Sequence, residues 1–329
     1  MVQLGSHAFM TRLVRKAFVL GAGLGTRMRP LTNLLPKPLL PIFGKPLITF
    51  AFDHLIQIGV EQILVNTHHL PDKYAAHFDS QYRGVSLQFV HEQVLLGTGG
   101  GLKNLERRVG EEPLIVYSGD ILTDVAVERL IEEHFSKRND VTLALRTTDF
   151  SKVIHWNSDT GRVLDIKGAL GSGIEGELDF ANISIWNPTV FSRIPARTEI
   201  SFVPILIQWM KSGGKIGGVA LEQGGWFNIG SRKDYIGAHR IIAEGQWSPK
   251  YMSARSWPQI ADPTARISPN SRIAGGSYVG AGSRVEEQVL VEDSILFPGS
   301  FIASGTTLKS CVVAGLEVGP GHFLETVFV

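Results

Sequence analysis

The chain has 329 residues, a formal net charge of +1 and 43% hydrophobic residues, which is long enough for two domains that each bury a core. The near-neutral charge gives no electrostatic argument for a nucleic-acid or membrane partner, and the single cysteine excludes an intrachain disulfide. No apolar stretch reaches the roughly 18 residues of a membrane-spanning helix, and the N-terminus lacks signal-peptide features, so we expect a cytoplasmic protein.

Residues 1–15 are predicted to form an N-terminal extension, and the first strong signal follows them. An apolar run over 17–20 predicts a strand that ends in a glycine-rich and then basic loop. Glycine lets the main chain approach phosphates closely, and cations offset the charge of a nucleoside triphosphate. The spacing fits neither a P-loop nor a dinucleotide fingerprint, because no Lys-Ser or Lys-Thr pair follows and Thr26 replaces the third glycine.

Short apolar runs alternate with amphipathic segments from residue 16 to about 245, which we predict to be one domain. The alternation predicts an α/β fold with a mainly parallel sheet covered by helices, and ligands at the carboxyl ends of the strands. Predicted strands are 17–20, 62–66, 86–90, 114–117, 141–146, 162–166 and 181–186. Predicted helices are 47–58, 72–78, 99–107, 125–135, 202–211 and 233–243.

Polar residues follow several of these strands and are candidate site residues. Asp120 follows the run 114–117, where a carboxylate is a natural Mg²⁺ ligand, although a turn or helix-capping aspartate is the alternative. The glycine-rich stretch 97–101 is either a turn that caps a helix or a wall of exposed backbone for a base and a sugar. Residues 66–69 are predicted to be polar side chains that line the cleft.

A six-residue repeat follows a predicted linker over 246–262 and defines a predicted domain over 263–329. It places Ile267, Ile273, Val279, Val285, Val291 and Phe297 at intervals of six, which is typical of a parallel β-helix of about three coils. The preceding residues should face outward, and they change from basic to aliphatic along the chain. The aliphatic stripe is Leu290, Leu296, Ile302 and Leu308, which predicts a homo-oligomer contact.

These motifs resemble the nucleotide-sugar pyrophosphorylases (sugar-1-phosphate nucleotidyltransferases). The family's opening loop reads G-x-G-T-R, then a threonine, then Pro-Lys-Pro, and residues 23–27, Thr32 and 36–38 match it in order. Several members carry a left-handed β-helix after a Rossmann-like domain, as the hexad repeat predicts here. The resemblance is closest to the mannose-1-phosphate guanylyltransferases and the N-acetylmuramate-1-phosphate uridylyltransferases.

The resemblance implies transfer of a nucleotidyl group from an NTP to a sugar 1-phosphate, with pyrophosphate as the second product and Mg²⁺ as cofactor. It implies catalytic roles for Arg27, on the β- and γ-phosphates, and for Lys37, on the α-phosphate. The implied nucleotide-binding residues are Gly21, Ala22, Gly23, Gly25, Thr26, Arg27, Gly97, Thr98 and Gly99.

The resemblance also implies a metal site and a sugar-phosphate site. Asp120 is the implied Mg²⁺ ligand, and Asn228 stands where the family's W-x-D-[IV]-G motif has a second metal aspartate. An amide can still offer a carbonyl oxygen to Mg²⁺ but brings no negative charge. The implied sugar-phosphate residues are Lys167, near the family's E-K-P position, Asn182, near its N-A-G segment, and Glu177.

Three functional alternatives stay open at this stage. The β-helix favours the guanylyl group, while the glycines of 97–101 and the residues 66–69 favour the uridylyl group. Asn228 leaves room for a catalytically impaired subunit that binds a nucleotide-sugar and regulates a partner. Acyl transfer by the β-helix is disfavoured, because the repeat is short and His322 is the one histidine within it.

Overall fold

The apolar runs of the N-terminal two thirds form one ten-stranded mixed sheet. The structure is a computed structural model that describes residues 14–149, 152–173, 175–252 and 257–329. The predicted extension over 1–15 falls outside the described residues except for 14 and 15. In chain order the elements are β1 (Lys16–Leu20), β2 (Pro41–Ile42), β3 (Lys45–Pro46), α1 (Ile48–Gln57), β4 (Gln62–Thr67), α2 (Pro71–His77), β5 (Gln81–Tyr82), β6 (Val85–His91), α3 (Gly97–Asn104), α4 (Glu106–Val109), β7 (Leu114–Ser118), β8 (Ile121–Thr123), α5 (Val127–Ser136), β9 (Val141–Arg146), β10 (Ile154–Asn157), β11 (Arg162–Ile166), β12 (Asp179–Trp186), α6 (Phe202–Lys211), β13 (Ile216–Ala220), β14 (Trp226–Asn228) and α7 (Arg232–Ala243).

The strand order explains where a ligand can bind. The sheet runs β10-β11-β13-β9-β12-β7-β1-β4-β6-β5, and β7, β1, β4 and β6 are parallel neighbours. β12 is antiparallel to β7 and to β9, so the sheet is mixed. Hydrophobic clusters cover both faces, as expected for strands whose residues are almost all apolar. The carboxyl ends of β1, β4, β6 and β7 therefore meet at one edge of the sheet.

Twelve short strands after residue 265 form three parallel sheets of four strands each. This arrangement is consistent with the left-handed β-helix that the hexad repeat predicts, so the fold prediction is confirmed. Each sheet contributes one strand per coil, which makes four coils rather than about three. The strands are β15 (Arg266–Ile267), β16 (Arg272–Ala274), β17 (Tyr278–Val279), β18 (Arg284–Val285), β19 (Leu290–Glu292), β20 (Ile295–Leu296), β21 (Phe301–Ile302), β22 (Thr307–Lys309), β23 (Val312–Val313), β24 (Glu317–Val318), β25 (His322–Leu324) and β26 (Val327–Phe328).

The predicted aliphatic stripe on the outside of the β-helix is wrong. Leu296, Ile302 and Leu308 are each 0% exposed and belong to the interior of the β-helix. The cause is a shift in phase after Val291, because Val279 pairs with Leu296 and not with Phe297. A coil shortened by one residue moves the inward position one step toward the N-terminus. Of the stripe, Leu290 alone stays partly exposed.

The β-helix shares a hydrophobic core with the N-terminal domain. One cluster joins Phe43 and Tyr235 to Tyr278 and Phe297, which belong to the coils. Arg240 of α7 donates to both carboxylate oxygens of Asp293, at 3.2 and 2.7 Å. None of the described helices is long and apolar enough to cross a membrane.

Candidate active site

The glycine loop follows β1 and is held against the end of the neighbouring strand β4. The Gly21 N–H donates to Asn66 Oδ1 at 2.9 Å, and a Cβ at Gly21 would lie 2.7 Å from the Asn66 carbonyl oxygen. Gly25 has a φ of 60°, and a Cβ there would lie 2.8 Å from Thr32 Cγ2. The Thr32 hydroxyl donates to the Gly25 carbonyl at 2.9 Å. Glycine is therefore required at 21 by close approach and at 25 also by backbone conformation.

The loop borders a cleft of about 360 Å³ at the carboxyl edge of the sheet. The cleft brings together segments that are far apart in the chain, from the glycine loop, from α3 and from the end of β7. Its lining includes Asn66, one of the residues 66–69 that were predicted to line the cleft. It also includes nine of the residues predicted to be catalytic, nucleotide-binding or metal-binding, which are Ala22, Gly23, Gly25, Thr26, Arg27, Lys37, Gly97, Thr98 and Asp120. Gly230, next to the Trp226–Asn228 strand, also lines the cleft. Gly21, Gly99, Lys167, Glu177, Asn182 and Asn228 are not part of this lining.

A lysine–aspartate pair lies in this cleft. Lys37 Nζ donates to Asp120 Oδ2 at 2.6 Å, and its side chain is only 9% exposed. The Ser118 hydroxyl donates to the other carboxylate oxygen of Asp120 at 2.8 Å. Lys37 enters from the 3₁₀ turn after Pro36, which lies against the glycine loop at Gly25, while Asp120 follows β7. The parallel pairing of β1 with β7 places the loop that follows β1 beside Asp120. A charge-assisted hydrogen bond of this length fixes both side chains.

A buried polar network links the glycine loop to α3. Asn66 Nδ2 donates to Glu92 Oε1 at 2.8 Å, and the Leu96 N–H donates to Glu92 Oε2 at 3.1 Å. Burial raises the pKa of Glu92, and the hydrogen bonds from Asn66 and from the Leu96 N–H oppose that rise. Asn66 thus holds the loop on one side and Glu92 on the other. Asn66 is one of the residues 66–69 predicted to line the cleft, whereas Glu92 was not among the predicted site residues, and the contact between them follows from the adjacency of β4 and β6.

The glycine-rich stretch 97–101 forms the first turns of α3, and close packing explains why several of these positions are glycine. Gly97 has a φ of 69°, and a Cβ at Gly101 would lie 2.8 Å from Glu92 Oε1. Gly99 is packed against the segment 200–205 and donates its N–H to the Ile200 carbonyl at 2.8 Å. The Phe202 N–H donates to Thr98 Oγ1 at 2.9 Å, so Thr98 also caps α6. Gly97 and Thr98 face the cleft, whereas Gly99 faces the neighbouring chain segment.

Asp120 fits a magnesium ligand better than Asn228 does. Its carboxylate lies in the cleft, is 31% exposed and keeps lone pairs beyond those used by Lys37 and Ser118. β14, which contains Asn228, pairs with β8, and the Ile229 N–H donates to the Asp120 carbonyl at 3.2 Å. Asn228 itself lines a separate cavity of about 520 Å³ with Thr148. Among the described residues, no three His, Cys, Asp or Glu side chains form a metal cluster.

The three predicted sugar-phosphate residues lie on the β11–β12 side of the sheet. Lys167 follows β11 with a φ of 59° and is exposed, and Glu177 precedes β12 and is exposed. Asn182 has a φ of 63° and lies in an irregular part of β12, between Phe180 and Ser184. Trp226 Nε1 donates to the Ala181 carbonyl at 2.9 Å, which ties this part of β12 to β14. Their roles stay predictions.

Comparison with known proteins agrees with this geometry. The nucleotidyl transferase family model matches residues 16–155. An N-acetylmuramate alpha-1-phosphate uridylyltransferase of Caulobacter vibrioides is 34% identical over 247 residues, which are 71% of this chain and 100% of that protein. A mannose-1-phosphate guanylyltransferase of Mycobacterium tuberculosis is 27% identical over 258 residues, which are 77% of this chain and 71% of that protein.

Other relatives are matched over less of their length. A D-glycero-alpha-D-manno-heptose 1-phosphate guanylyltransferase of Aneurinibacillus thermoaerophilus is 36% identical over 131 residues, and the match spans 40% of this chain and 57% of that protein. Among solved structures, an inositol-1-phosphate CTP transferase from T. maritima superposes with a TM-score of 0.57 at 19% identity, over 68% of this chain and 92% of that one. This likeness concerns the fold alone.

The chain combines a mainly parallel sheet with a glycine loop that borders a cleft at the carboxyl edge of that sheet. Given its match to the whole length of the Caulobacter relative, the chain belongs to the sugar-1-phosphate nucleotidyltransferases of the nucleotidyl transferase family.

Proposed function

We propose that this chain transfers a nucleotidyl group from an NTP to a sugar 1-phosphate and releases pyrophosphate. The observation that carries the proposal is the pair of the buried Lys37 with the partly exposed Asp120, in the cleft that the glycine loop borders. In this reaction a phosphate oxygen of the sugar 1-phosphate attacks the α-phosphorus in line, and the bond to the leaving pyrophosphate breaks. No covalent protein intermediate is needed, so the protein contributes positioning and charge.

The glycine loop, Arg27 and Lys37 each have a chemical role in this proposal. Backbone N–H groups of the glycine loop hold the triphosphate, because the glycines leave room for close approach. Arg27 holds the β- and γ-phosphates and stabilises the charge of the leaving pyrophosphate. Lys37 neutralises the α-phosphate as charge builds there, which requires that it exchange its contact with Asp120 for one with the nucleotide.

The same cleft supports a proposed Mg²⁺ site on Asp120. Mg²⁺ prefers one or two carboxylates together with phosphate oxygens, and Asp120 offers one carboxylate that faces the phosphate-binding loop. When bound, the ion would supply charge neutralisation for the phosphates. Asn228 is the proposed second ligand, through its amide oxygen, although its side chain lines the neighbouring cavity. Lys167, Asn182 and Glu177 remain the proposed contacts to the sugar phosphate.

Two substrate pairs are candidates, and different observations favour each. GTP with mannose 1-phosphate is favoured by the β-helix and by relatives named mannose-1-phosphate guanylyltransferase. UTP with another sugar 1-phosphate is favoured by the uridylyltransferase that is matched over its whole length. A screen of the four common NTPs against a panel of sugar 1-phosphates, read as pyrophosphate release, separates them. Absence of release with every pair, combined with nucleotide-sugar binding, would instead favour the impaired regulatory subunit that Asn228 suggests.

Self-association through the β-helix is also retained as a proposal, without the aliphatic stripe. Its remaining support is the exposure of Leu316, Leu324 and Val329 in and after the last coil. Light scattering of the purified protein over a range of concentrations tests it. A constant monomer mass at high concentration would refute it.

A further inference from the structure

Arg27 also borders a second cleft, which lies between α7 and the last coils of the β-helix. This basic cleft has a volume of about 610 Å³, and its lining contains five cationic side chains and a single carboxylate. The cations are Arg27, Arg29, Arg232, Lys233 and Arg240, and the carboxylate is Glu325. The overall charge of the chain is +1, so this excess of positive charge is local and is balanced elsewhere in the chain.

Most of these cations have no acidic partner. Arg240 pairs with Asp293 at 2.7 Å, where it joins α7 to the β-helix. Within the described residues, the other four cations form no ion pair with a carboxylate, and Glu325 forms none either. Like charges held close together repel one another, and an anion bound among them would remove that repulsion.

The walls of the cleft are held by regular structure. On α7 the lining residues recur along one side of the helix, from Arg232 to Ile236 and Arg240. Gly237 adds no side chain there, and a Cβ at that position would have no neighbour within 4 Å. On the β-helix the wall consists of Ser310 and Glu325, at turns whose N–H groups donate to backbone carbonyls of the preceding coil.

We propose that the basic cleft is a second binding site, for a small anion that carries several phosphates. The site is adjacent to the nucleotide cleft and shares Arg27 with it, so occupancy of one cleft can alter the charge that the other experiences. Two sources have this chemistry, which are the pyrophosphate released by turnover and a separate phosphorylated effector. The first source rests on the proposed function, whereas the binding itself does not.

Direct binding of inorganic tripolyphosphate, measured by isothermal titration calorimetry without nucleotide or sugar phosphate, tests the site. The cleft variant is Arg29→Gln with Arg232→Gln, and the control is Arg266→Gln with Arg272→Gln, which removes the same charge from exposed positions of the β-helix. A contact between a charged donor and phosphate corresponds to about tenfold in affinity or more, so the cleft variant should bind at least about tenfold more weakly. The control should stay within about twofold of wild type.

Two further measurements isolate the site. Repeating both titrations in a Lys37→Met background weakens binding in the nucleotide cleft and leaves the difference between cleft variant and control in place. Glu325→Gln removes the one carboxylate of the cleft and should tighten tripolyphosphate binding. Equal affinity in the cleft variant and the control, in both backgrounds, would overturn the proposal. An unchanged affinity in Glu325→Gln would also count against it.

Kinetics then distinguishes the two sources of the anion. If released pyrophosphate enters the basic cleft, the cleft variant should show weaker product inhibition by pyrophosphate than the control does. If a separate effector binds there, pyrophosphate inhibition should be unchanged, and tripolyphosphate should alter kcat of the wild type and not of the cleft variant. Either pattern supports the site. Tripolyphosphate effects that are identical in variant and control would count against it.

Discussion

Replacing Lys37 by methionine tests the proposed chemistry with the least change in shape. Lys37 is 9% exposed, and its Nζ lies 2.6 Å from Asp120, so the substitution removes one preorganised charge and keeps most of the packing. Loss of one such charge at a developing phosphate oxyanion costs about 3–4 kcal/mol, which is about a hundredfold to a thousandfold in kcat/KM. The loss of stability should be smaller, about 1 kcal/mol, because Asp120 is 31% exposed and remains solvated.

Lys45→Met is the matched control for this experiment. Lys45 is also nearly buried, at 13% exposure, and pairs with the buried Asp53 at 2.7 Å, but it does not line the nucleotide cleft. We expect Lys45→Met to lose at least as much stability as Lys37→Met while its kcat/KM stays within about twofold of wild type. The assays are steady-state pyrophosphate release and urea unfolding. Equal loss of activity in the two variants, or wild-type turnover in Lys37→Met, would refute the assigned role.

Three further predictions concern the metal site, the β-helix and the dependence of stability on pH. Asn228→Asp should tighten the Mg²⁺ dependence of turnover because it adds a negative charge, and an unchanged Mg²⁺ titration would mean that position 228 does not contact the metal. Leu308→Lys should lower the free energy of unfolding by about 4 kcal/mol because it buries a charge. Leu290→Lys lies on the partly exposed face, so its free energy of unfolding should stay within about 1 kcal/mol of the wild-type value. Similar losses in the two variants would contradict the phase of the coils. Burial lowers the pKa of His239 from 6.5 to about 4, so the unfolded state binds the proton first and stability falls as the pH drops below 6.5. His239 should contribute about 2 kcal/mol to the stability that urea unfolding shows to be lost between about pH 7.5 and pH 5. His239→Gln should remove this share and the exposed His322→Gln should not, while the buried His54, whose pKa is also lowered to about 4, contributes a similar loss that remains in both variants. The same pH dependence in all three proteins would exclude His239 as a source.

The buried parallel strands could be predicted closely from the sequence, and other strands could not. β1, β4 and β7 are continuous apolar runs because both of their faces are covered, so the sequence marks their ends to within one or two residues. β13 reads Ile-Gly-Gly-Val-Ala and β10 reads Ile-His-Trp-Asn, and neither has a strong strand pattern. They become strands because the register with neighbouring strands supplies hydrogen bonds and cover.

The β-helix shows the limit of reading a period along a sequence. At the sixth hexad both Leu296 and Phe297 are apolar, so a strict period of six continues without a visible break. The pairing of Val279 with Leu296 reveals that one residue is missing from that coil. Phe297 then points away from the coil interior and packs against the N-terminal domain instead. The sequence around Leu296 and Phe297 does not show which of them faces the coil interior. Both side chains are apolar and buried, one inside the coil and the other against the N-terminal domain.

The sequence was enough to predict many of the residues that belong to the candidate site, but it was not enough to predict which of them contact one another. Strand ends identified Asp120, and the glycine loop with Pro-Lys-Pro identified Lys37. That the two lie 2.6 Å apart depends on the adjacency of β1 and β7, which are separated by almost a hundred residues along the chain. The basic cleft had no counterpart in the sequence analysis, because it exists only where α7 packs beside the coils.

Helix α7 connects these observations, since it follows the nucleotide cleft and supports the β-helix. Gly230 lines the nucleotide cleft, and α7 begins two residues later, with Ser231 capping it by accepting the Asp234 N–H. The same helix contributes Tyr235 to the core shared with the coils and Arg240 to the ion pair with Asp293. A shift of the β-helix would therefore move α7, and with it the wall of the nucleotide cleft that Gly230 forms. The coils are in this sense part of the support of the active site, which is the physical reason that an anion held between α7 and the β-helix could affect turnover.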